Sequence, residues 1–83
     1  MVKVKKRDGR VEEFMKEKIV NGIIKAGANA IEAAKVAEDV AVKVTRFTIV
    51  TTDEVAKFVV DSLEKINKGA AEAYKNFRRQ KKK

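Results

Sequence analysis

The chain has 83 residues, a formal net charge of +8, and neither cysteine nor histidine. This length suits one domain with a single modest core. The residue inventory excludes disulfides and thiolate metal sites, and because histidine is also missing we do not expect an enzyme. No apolar run is long enough to cross a membrane and the N-terminus lacks the apolar segment of a signal peptide, so we expect a cytoplasmic protein without a membrane partner.

The positive charge lies at the two ends of the chain. Residues 75–83 carry six basic residues and no acid, and residues 1–18 carry seven basic and four acidic residues. The remainder, residues 19–74, is therefore close to neutral. We expect one domain over residues 1–79, followed by a basic, frayed tail at residues 80–83.

A hairpin is predicted at the start of the chain. Asp8-Gly9 is a typical turn sequence, because a two-residue type I′ loop needs positive φ at both positions and this pair tolerates it. Residues 2–6 and 10–14 are then the two strands. The hairpin is too small to be stable alone, so we expect it to lie on the rest of the domain.

The register of this hairpin has two solutions. A two-residue loop pairs Lys5 with Glu12. A three-residue loop with a bulge places Val2, Val4 and Phe14 on one face, which gives the better apolar surface.

Apolar periodicity predicts four helices after the hairpin. Their expected bounds are Met15 to about Ala26, a cap at Asn29 to about Val44, a cap at Thr51 or Thr52 to Asn67, and about Ala70 to Arg79. The β-branched segment from Thr45 to Val50 suits a loop or a short third strand. The predicted fold class is α+β, with a β-hairpin or three-stranded sheet capping a four-helix bundle.

The basic turn and the following helix start form a candidate anion site. Lys and Arg side chains and a helix N-terminus both attract phosphate; the residues concerned are Lys5, Lys6, Arg7, Arg10, Lys16 and Lys18. Each also has a plain structural interpretation. Charged side chains are usually solvated, Glu12 would form an ion pair with Lys5, Thr51 would be a helix cap, and Tyr74 and Phe77 would belong to the core.

The chain resembles the ATP-cone domain, which occurs at the N-terminus of ribonucleotide reductase large subunits and in the bacterial ribonucleotide reductase repressor. The resemblance covers about residues 2–79. It rests on the segments Lys6-Arg7-Asp8-Gly9-Arg10 with Glu12 and Phe14, Lys18-Ile19, Thr51 to Val55, and Ala73-Tyr74 with Phe77-Arg78.

This resemblance implies regulatory binding of ATP or dATP, with Mg²⁺, and no hydrolysis. It implies that Lys6 and Arg7 contact the phosphates and that Lys18 reaches them from the first helix. The pocket lining it implies consists of Glu12, Glu13, Phe14, Lys16, Glu17 and Lys18. A threonine, Thr51 or its neighbour Thr52, would contact the base, for which Ile19 and Val55 are also suited; no role carries over to Met15.

Two functions follow as hypotheses. The first is a nucleotide sensor that acts through a homo-oligomer or through an enzyme or regulator module. The second is a small basic nucleic-acid-binding protein, or part of a transcriptional regulator, which would bind phosphate backbone without sequence preference.

Overall fold

The computed structural model describes residues 2–80, with the side chains of the last helix described up to Asn76. The elements are β1 (Lys3–Lys5), β2 (Val11–Glu13), α1 (Lys16–Lys25), α2 (Ala30–Val44), β3 (Ile49–Thr51), α3 (Thr52–Ile66) and α4 (Lys68–Gln80). The predicted α+β class is confirmed, because four helices pack with one three-stranded sheet. The predicted frayed tail covers residues 80–83, and residues 81–83 lie outside the described part of the chain. None of the described helices is long and apolar enough to cross a membrane.

The sheet is mixed, and its middle strand is β1. This strand pairs antiparallel with β2 and parallel with β3. The register places Lys5 opposite Val11, so the three-residue loop is correct and the pairing of Lys5 with Glu12 is wrong. The observed register allows Val2, Val4 and Phe14 to pack against the core, which a shift by one residue would prevent.

The turn itself explains why the two-residue loop fails. Gly9 has φ of +92°, but Asp8 does not adopt positive φ, as a type I′ turn would require. Instead the carboxylate of Asp8 accepts hydrogen bonds from the backbone N–H of Arg10 at 3.0 Å and from its Nε at 2.8 Å. The Arg10 backbone N–H, and then its guanidinium, hold the pKa of Asp8 below its ordinary value. Asp8 therefore closes the turn with its side chain.

Capping boxes start the two longest helices. Asn29 accepts from the N–H of Glu32 at 2.8 Å, and the Glu32 carboxylate accepts from the N–H of Asn29 at 3.2 Å. Thr51 and Glu54 make the same reciprocal pair at 3.1 and 2.8 Å. Each box satisfies two of the N–H groups that a helix start leaves without partners. Both caps lie where the sequence predicts them.

The core lies between the helices, and β3 closes it at one end. Its largest fully buried side chains are Ile23, Val36, Val40, Val44, Val50, Val59 and Leu63. Val50 is the middle residue of β3, so the third strand is part of the core. The predicted apolar stripes were wrong at two positions, because Ile24 and Ile66 sit near helix ends and are 44% and 43% exposed.

A polar cluster around the buried Ser62 joins α2 to α3. The Ser62 hydroxyl is 4% exposed and donates to the carboxylate of Asp39, while Nζ of Lys43 lies 3.4 Å from the Ser62 oxygen and 3.5 Å from Asp39. The hydrogen bond from Ser62, and the charge of Lys43 after it, lower the pKa of Asp39. The buried hydroxyl is thus fully paired, as a stable helix interface requires.

Candidate functional site

A cavity of about 310 Å³ opens where the hairpin meets the helices, and we call it the apolar cavity. The sheet, α1, α3 and α4 all contribute to its wall. Its lining residues are Val4, Lys6, Glu12, Glu13, Phe14, Met15, Lys18, Ile19, Thr52, Val55, Ala56 and Tyr74. Most of the wall is apolar, and the polar groups are confined to the hairpin, the first turn of α1 and the start of α3. This combination of apolar walls and few polar groups is typical of small-molecule sites.

A second cavity of about 270 Å³, here the outer cavity, adjoins the first. It lies between the hairpin turn and the first turn of α3, and is lined by Lys5, Lys6, Arg7, Thr51, Thr52 and Asp53. Lys6 and Thr52 line both cavities. The two cavities are therefore neighbours at these residues. Most side chains of the first are apolar, and the second has three basic side chains, two threonines and one aspartate.

Glu12 lies between two lysines at the mouth of the apolar cavity. Its carboxylate is 3.5 Å from Nζ of Lys6 and 3.5 Å from Nζ of Lys18. The alternative ion pair with Lys5 is therefore wrong, since Lys5 faces the other side of the sheet, opposite Val11. Desolvation opposes ionisation of Glu12, but the charges of Lys6 and Lys18 together outweigh it and lower its pKa. An ionised Glu12 thus holds the two ammonium groups beside each other.

A second ion pair holds the tip of the hairpin. Nη2 of Arg7 donates to Oδ1 of Asp53 at 2.7 Å. Asp53 is in the first turn of α3, where an acid also favours the positive end of the helix dipole. The contact places the guanidinium at the outer cavity.

The adjacent threonines at the start of α3 have different roles. Thr51 is the N-cap, and its hydroxyl oxygen accepts from the N–H of Glu54. The Thr52 hydroxyl instead donates to the backbone carbonyl of Lys5 at 3.1 Å and so joins α3 to β1. Only Thr52 of the two lines the apolar cavity. It is therefore the threonine that a molecule bound there would contact, with its hydroxyl proton already donated to Lys5.

The structure brings most of the predicted site residues together. Those that line one cavity or both are Lys6, Arg7, Glu12, Glu13, Phe14, Lys18, Thr51 and Thr52. Lys16 and Glu17 line neither. Lys16 instead donates to Glu38 of α2 at 2.7 Å, and this hydrogen bond raises its pKa. Helical periodicity places Lys16 and Glu17 on a different part of the α1 surface from Lys18 and Ile19, which line the apolar cavity.

Sequence reasoning missed four lining residues: Val4, Met15, Ala56 and Tyr74. The alternation of β1 already places Val4 on the inner face with Lys6, so its position was available from the strand pattern. Ala56 follows one helical turn after Thr52, which could also have indicated it. Met15 and Tyr74 carry no such local signal, because their positions depend on how α1 and α4 pack.

This arrangement favours a ligand with a flat apolar part and an anionic part. The apolar cavity offers aliphatic and aromatic walls, and Lys6, Arg7 and Lys18 supply positive charge around its mouth and in the outer cavity. Among residues 2–80, no three metal-ligating side chains gather closely enough to hold a metal ion. The fold and site thus define a small domain with two neighbouring cavities that suit such a ligand.

The sequence comparisons identify that domain. The ATP cone domain matches residues 2–83, which is nearly the whole chain, and the protein belongs to this family of nucleotide-binding regulatory modules. Adenine nucleotide binding is what the family implies. The chain is also similar to an uncharacterized protein of Archaeoglobus fulgidus, with 54% identity over 39 residues that cover 47% of this chain and 83% of that protein.

Proposed function

We propose that this protein binds ATP or dATP as a regulatory ligand, without catalysis, at the two adjoining cavities. The base and sugar occupy the apolar cavity, and the phosphates extend past Lys6 and Thr52 toward Arg7 in the outer cavity. Lys18 reaches the phosphates from α1. The observation that carries this proposal is that Lys6 and Thr52 line both a cavity with mostly apolar side chains and a second cavity that holds Lys5 and Arg7.

The sizes and chemistry of the cavities support this placement. Ligand pockets for small molecules typically have volumes from about 300 to 1,000 Å³, and the apolar cavity alone has about 310 Å³. Ile19 and Val55 are buried side chains that provide flat apolar surface for a base. Each charge-assisted contact to phosphate contributes about 1.5–3 kcal/mol, so a few cations suffice for specific binding.

Mg²⁺ enters this proposal bound to the nucleotide. The described residues contain no cluster of three carboxylates for a metal, and Mg²⁺ commonly binds through substrate phosphates with water completing its shell. The protein then has to recognise the phosphate–metal group with its cations. Arg7 is suited to this because its guanidinium offers several donors in a fixed plane.

The output of binding is a change in association. A binding module can report its ligand only through differential affinity of two states of its own or of a complex. We therefore infer that nucleotide binding shifts either self-association or contact with an enzyme or regulator module. Ribonucleotide reductase and its repressor are the systems in which the resemblance places such modules.

Isothermal titration calorimetry tests the proposal directly. The full chain is titrated with ATP, dATP and GTP, each with Mg²⁺, at 50 and 200 mM salt. Saturable binding that prefers the adenine nucleotides and is retained at the higher salt concentration supports the proposal. Weak binding that ignores the base and falls steeply with salt contradicts it, and would favour phosphate-backbone binding of nucleic acid instead.

A further inference from the structure

Tyr74 occupies a distinctive position between the apolar cavity and α1. It is half-buried, packs against the core and lines the cavity. Among the described side chains of α4, Tyr74 is the only one that lines the apolar cavity. A Cβ built on Gly22 of α1 would lie 3.4 Å from Cε1 of Tyr74, so the ring lies beside α1 at Gly22.

The contacts of α4 are unevenly divided between α3 and α1. The helix packs chiefly on α3 and only lightly on α1. Its buried residues, Ala70 and Ala71, lie in the first turn and are small. Farther along, an ion pair of Lys75 with Glu64 again joins it to α3. Among the described side chains of α4, Tyr74 therefore combines a position beside α1 with a place in the cavity wall.

We propose that Tyr74 is the residue that senses the occupant of the apolar cavity: the base packs against its ring, and because the same ring lies beside Gly22, occupancy fixes α4 against α1. This inference rests on the proposed nucleotide binding and adds a residue and a route to it. Stacking of a base on an aromatic side chain contributes enough to matter for affinity. Occupancy of a site in the sheet and first helix is thus passed to the C-terminal helix.

Position 22 offers a way to perturb the Tyr74 ring from α1. Because a Cβ at this position would already lie 3.4 Å from the ring, a longer side chain directed toward α4 would collide with Tyr74. An alanine, by contrast, reaches ordinary van der Waals distance. Gly22→Ala and Gly22→Leu therefore form a graded pair that perturbs the ring from α1.

The first experiment uses the wild-type chain and its single fluorophore. The sequence contains one tyrosine and no tryptophan, so intrinsic emission reports on Tyr74 alone. Titration with ATP should change this emission with the same midpoint as the calorimetric heat, whereas inorganic tripolyphosphate should not. Hydrogen–deuterium exchange should slow in residues 68–80 with ATP. If ATP binds by calorimetry but neither the emission nor the exchange of α4 changes, the inference is wrong and the proposed function stands; if ATP does not bind, both fail.

The second experiment uses variants and calorimetry. Tyr74→Leu should weaken ATP binding about tenfold, a loss expected when a stacked base loses its aromatic partner, and Tyr74→Phe should lose less. Gly22→Leu should weaken ATP more than Gly22→Ala. None of these changes should alter tripolyphosphate binding, which also shows that the variants are folded. Phe58→Leu is the matched control, because Phe58 pairs with Phe47 at a centroid distance of 6.3 Å and lines neither cavity. Equal losses for ATP and tripolyphosphate, or a loss in the control as large as in Tyr74→Leu, would overturn the inference.

Discussion

Arg7 and Asp53 are 46 residues apart in the chain, yet Nη2 of Arg7 donates a hydrogen bond to Oδ1 of Asp53 at 2.7 Å. Both side chains are more than half exposed, so the pair contributes only about 0.2–1 kcal/mol to stability. Its importance is geometric, because it orients the guanidinium toward the outer cavity. A phosphate bound there would compete with the carboxylate for the same donors.

This competition predicts unequal roles for the two basic residues of the turn. Lys6 lines both cavities, whereas Arg7 lines only the outer one and already has a carboxylate partner. Lys6→Ala should weaken ATP binding about 10- to 100-fold, the loss expected for one charge-assisted contact. Arg7→Ala should cost clearly less. Calorimetry with Mg²⁺-ATP measures both.

Lys35→Ala is the control for that comparison. Lys35 is exposed on α2 and lines neither cavity. Its replacement by alanine removes one positive charge, as Lys6→Ala does. The Lys35→Ala variant should bind ATP with the same affinity as the wild type. A loss in this variant that matches Lys6→Ala would mean that overall charge, and not the position of Lys6, determines affinity.

Replacement of Glu12 should strengthen anion binding, whereas replacement of Lys6 should weaken it. Its carboxylate neutralises Lys6 and Lys18 in the empty site and would repel an incoming phosphate. Glu12→Gln should therefore tighten binding of inorganic tripolyphosphate by up to about fivefold, the upper range for an exposed charge pair. Glu17→Gln removes the same charge outside both cavities and should have no such effect. Weaker tripolyphosphate binding in Glu12→Gln would show that the carboxylate organises the lysines more than it repels the ligand.

The adjacent threonines separate stability from binding. Thr51→Ala removes the N-cap of α3, which should cost about 1 kcal/mol and lower Tm by about 4–8 °C in a domain of this size. Thr51→Ser keeps the capping hydroxyl and should recover most of that loss. Thr52→Ala should instead lower ATP affinity more than Thr51→Ala does, because only Thr52 lines both cavities. Thermal melts and calorimetry on the three variants test this, and the reverse order of affinities would refute it.

Asp39 predicts how stability depends on pH. The hydrogen bond from Ser62 lowers the pKa of Asp39 in the folded chain, so the unfolded chain binds its proton more readily. The stabilisation is complete above the unfolded pKa and is lost as pH falls through the folded pKa, below about pH 5. Asp39→Asn should be less stable than the wild type at pH 7 and lose less stability between pH 6 and pH 3. Chemical denaturation across this range measures the difference.

The control for this pH dependence is Asp61→Asn. Asp61 is an exposed acid on α3 and forms no ion pair within the described part of the chain. Its stability profile should run parallel to that of the wild type. If Asp39→Asn also runs parallel, the Ser62–Asp39 contact does not contribute to the acid sensitivity of the fold.

The sequence predicted the helices well because their signals are local. Asn29 and Thr51 are strong caps followed by an acid three residues later, and the apolar stripe of α2 maps onto its buried face. The sequence left two registers for the hairpin. The register that places Val2, Val4 and Phe14 on one apolar face is the correct one. Local capping and periodicity determine these features.

The parts that sequence reasoning missed depend on packing between distant elements. Lys16 was predicted in the pocket, but an acid of α2, Glu38, lies close enough to hold it elsewhere. Tyr74 looked like a core residue and is half-buried, yet one part of its ring faces the cavity. Its position follows from the approach of α4 to Gly22. Such relationships appear only when the helices are placed in three dimensions.

The central position of β1 determines when the binding site can form. Its partner β3 is 46 residues farther along the chain, so this pairing must close a long loop, whereas the β1–β2 hairpin and the α1–α2 pair are local. The apolar cavity draws its wall from residues between Val4 and Tyr74. A chain emerging from the ribosome therefore carries the residues of its basic hairpin early, but gains a complete cavity only after α4 has been synthesised and docked.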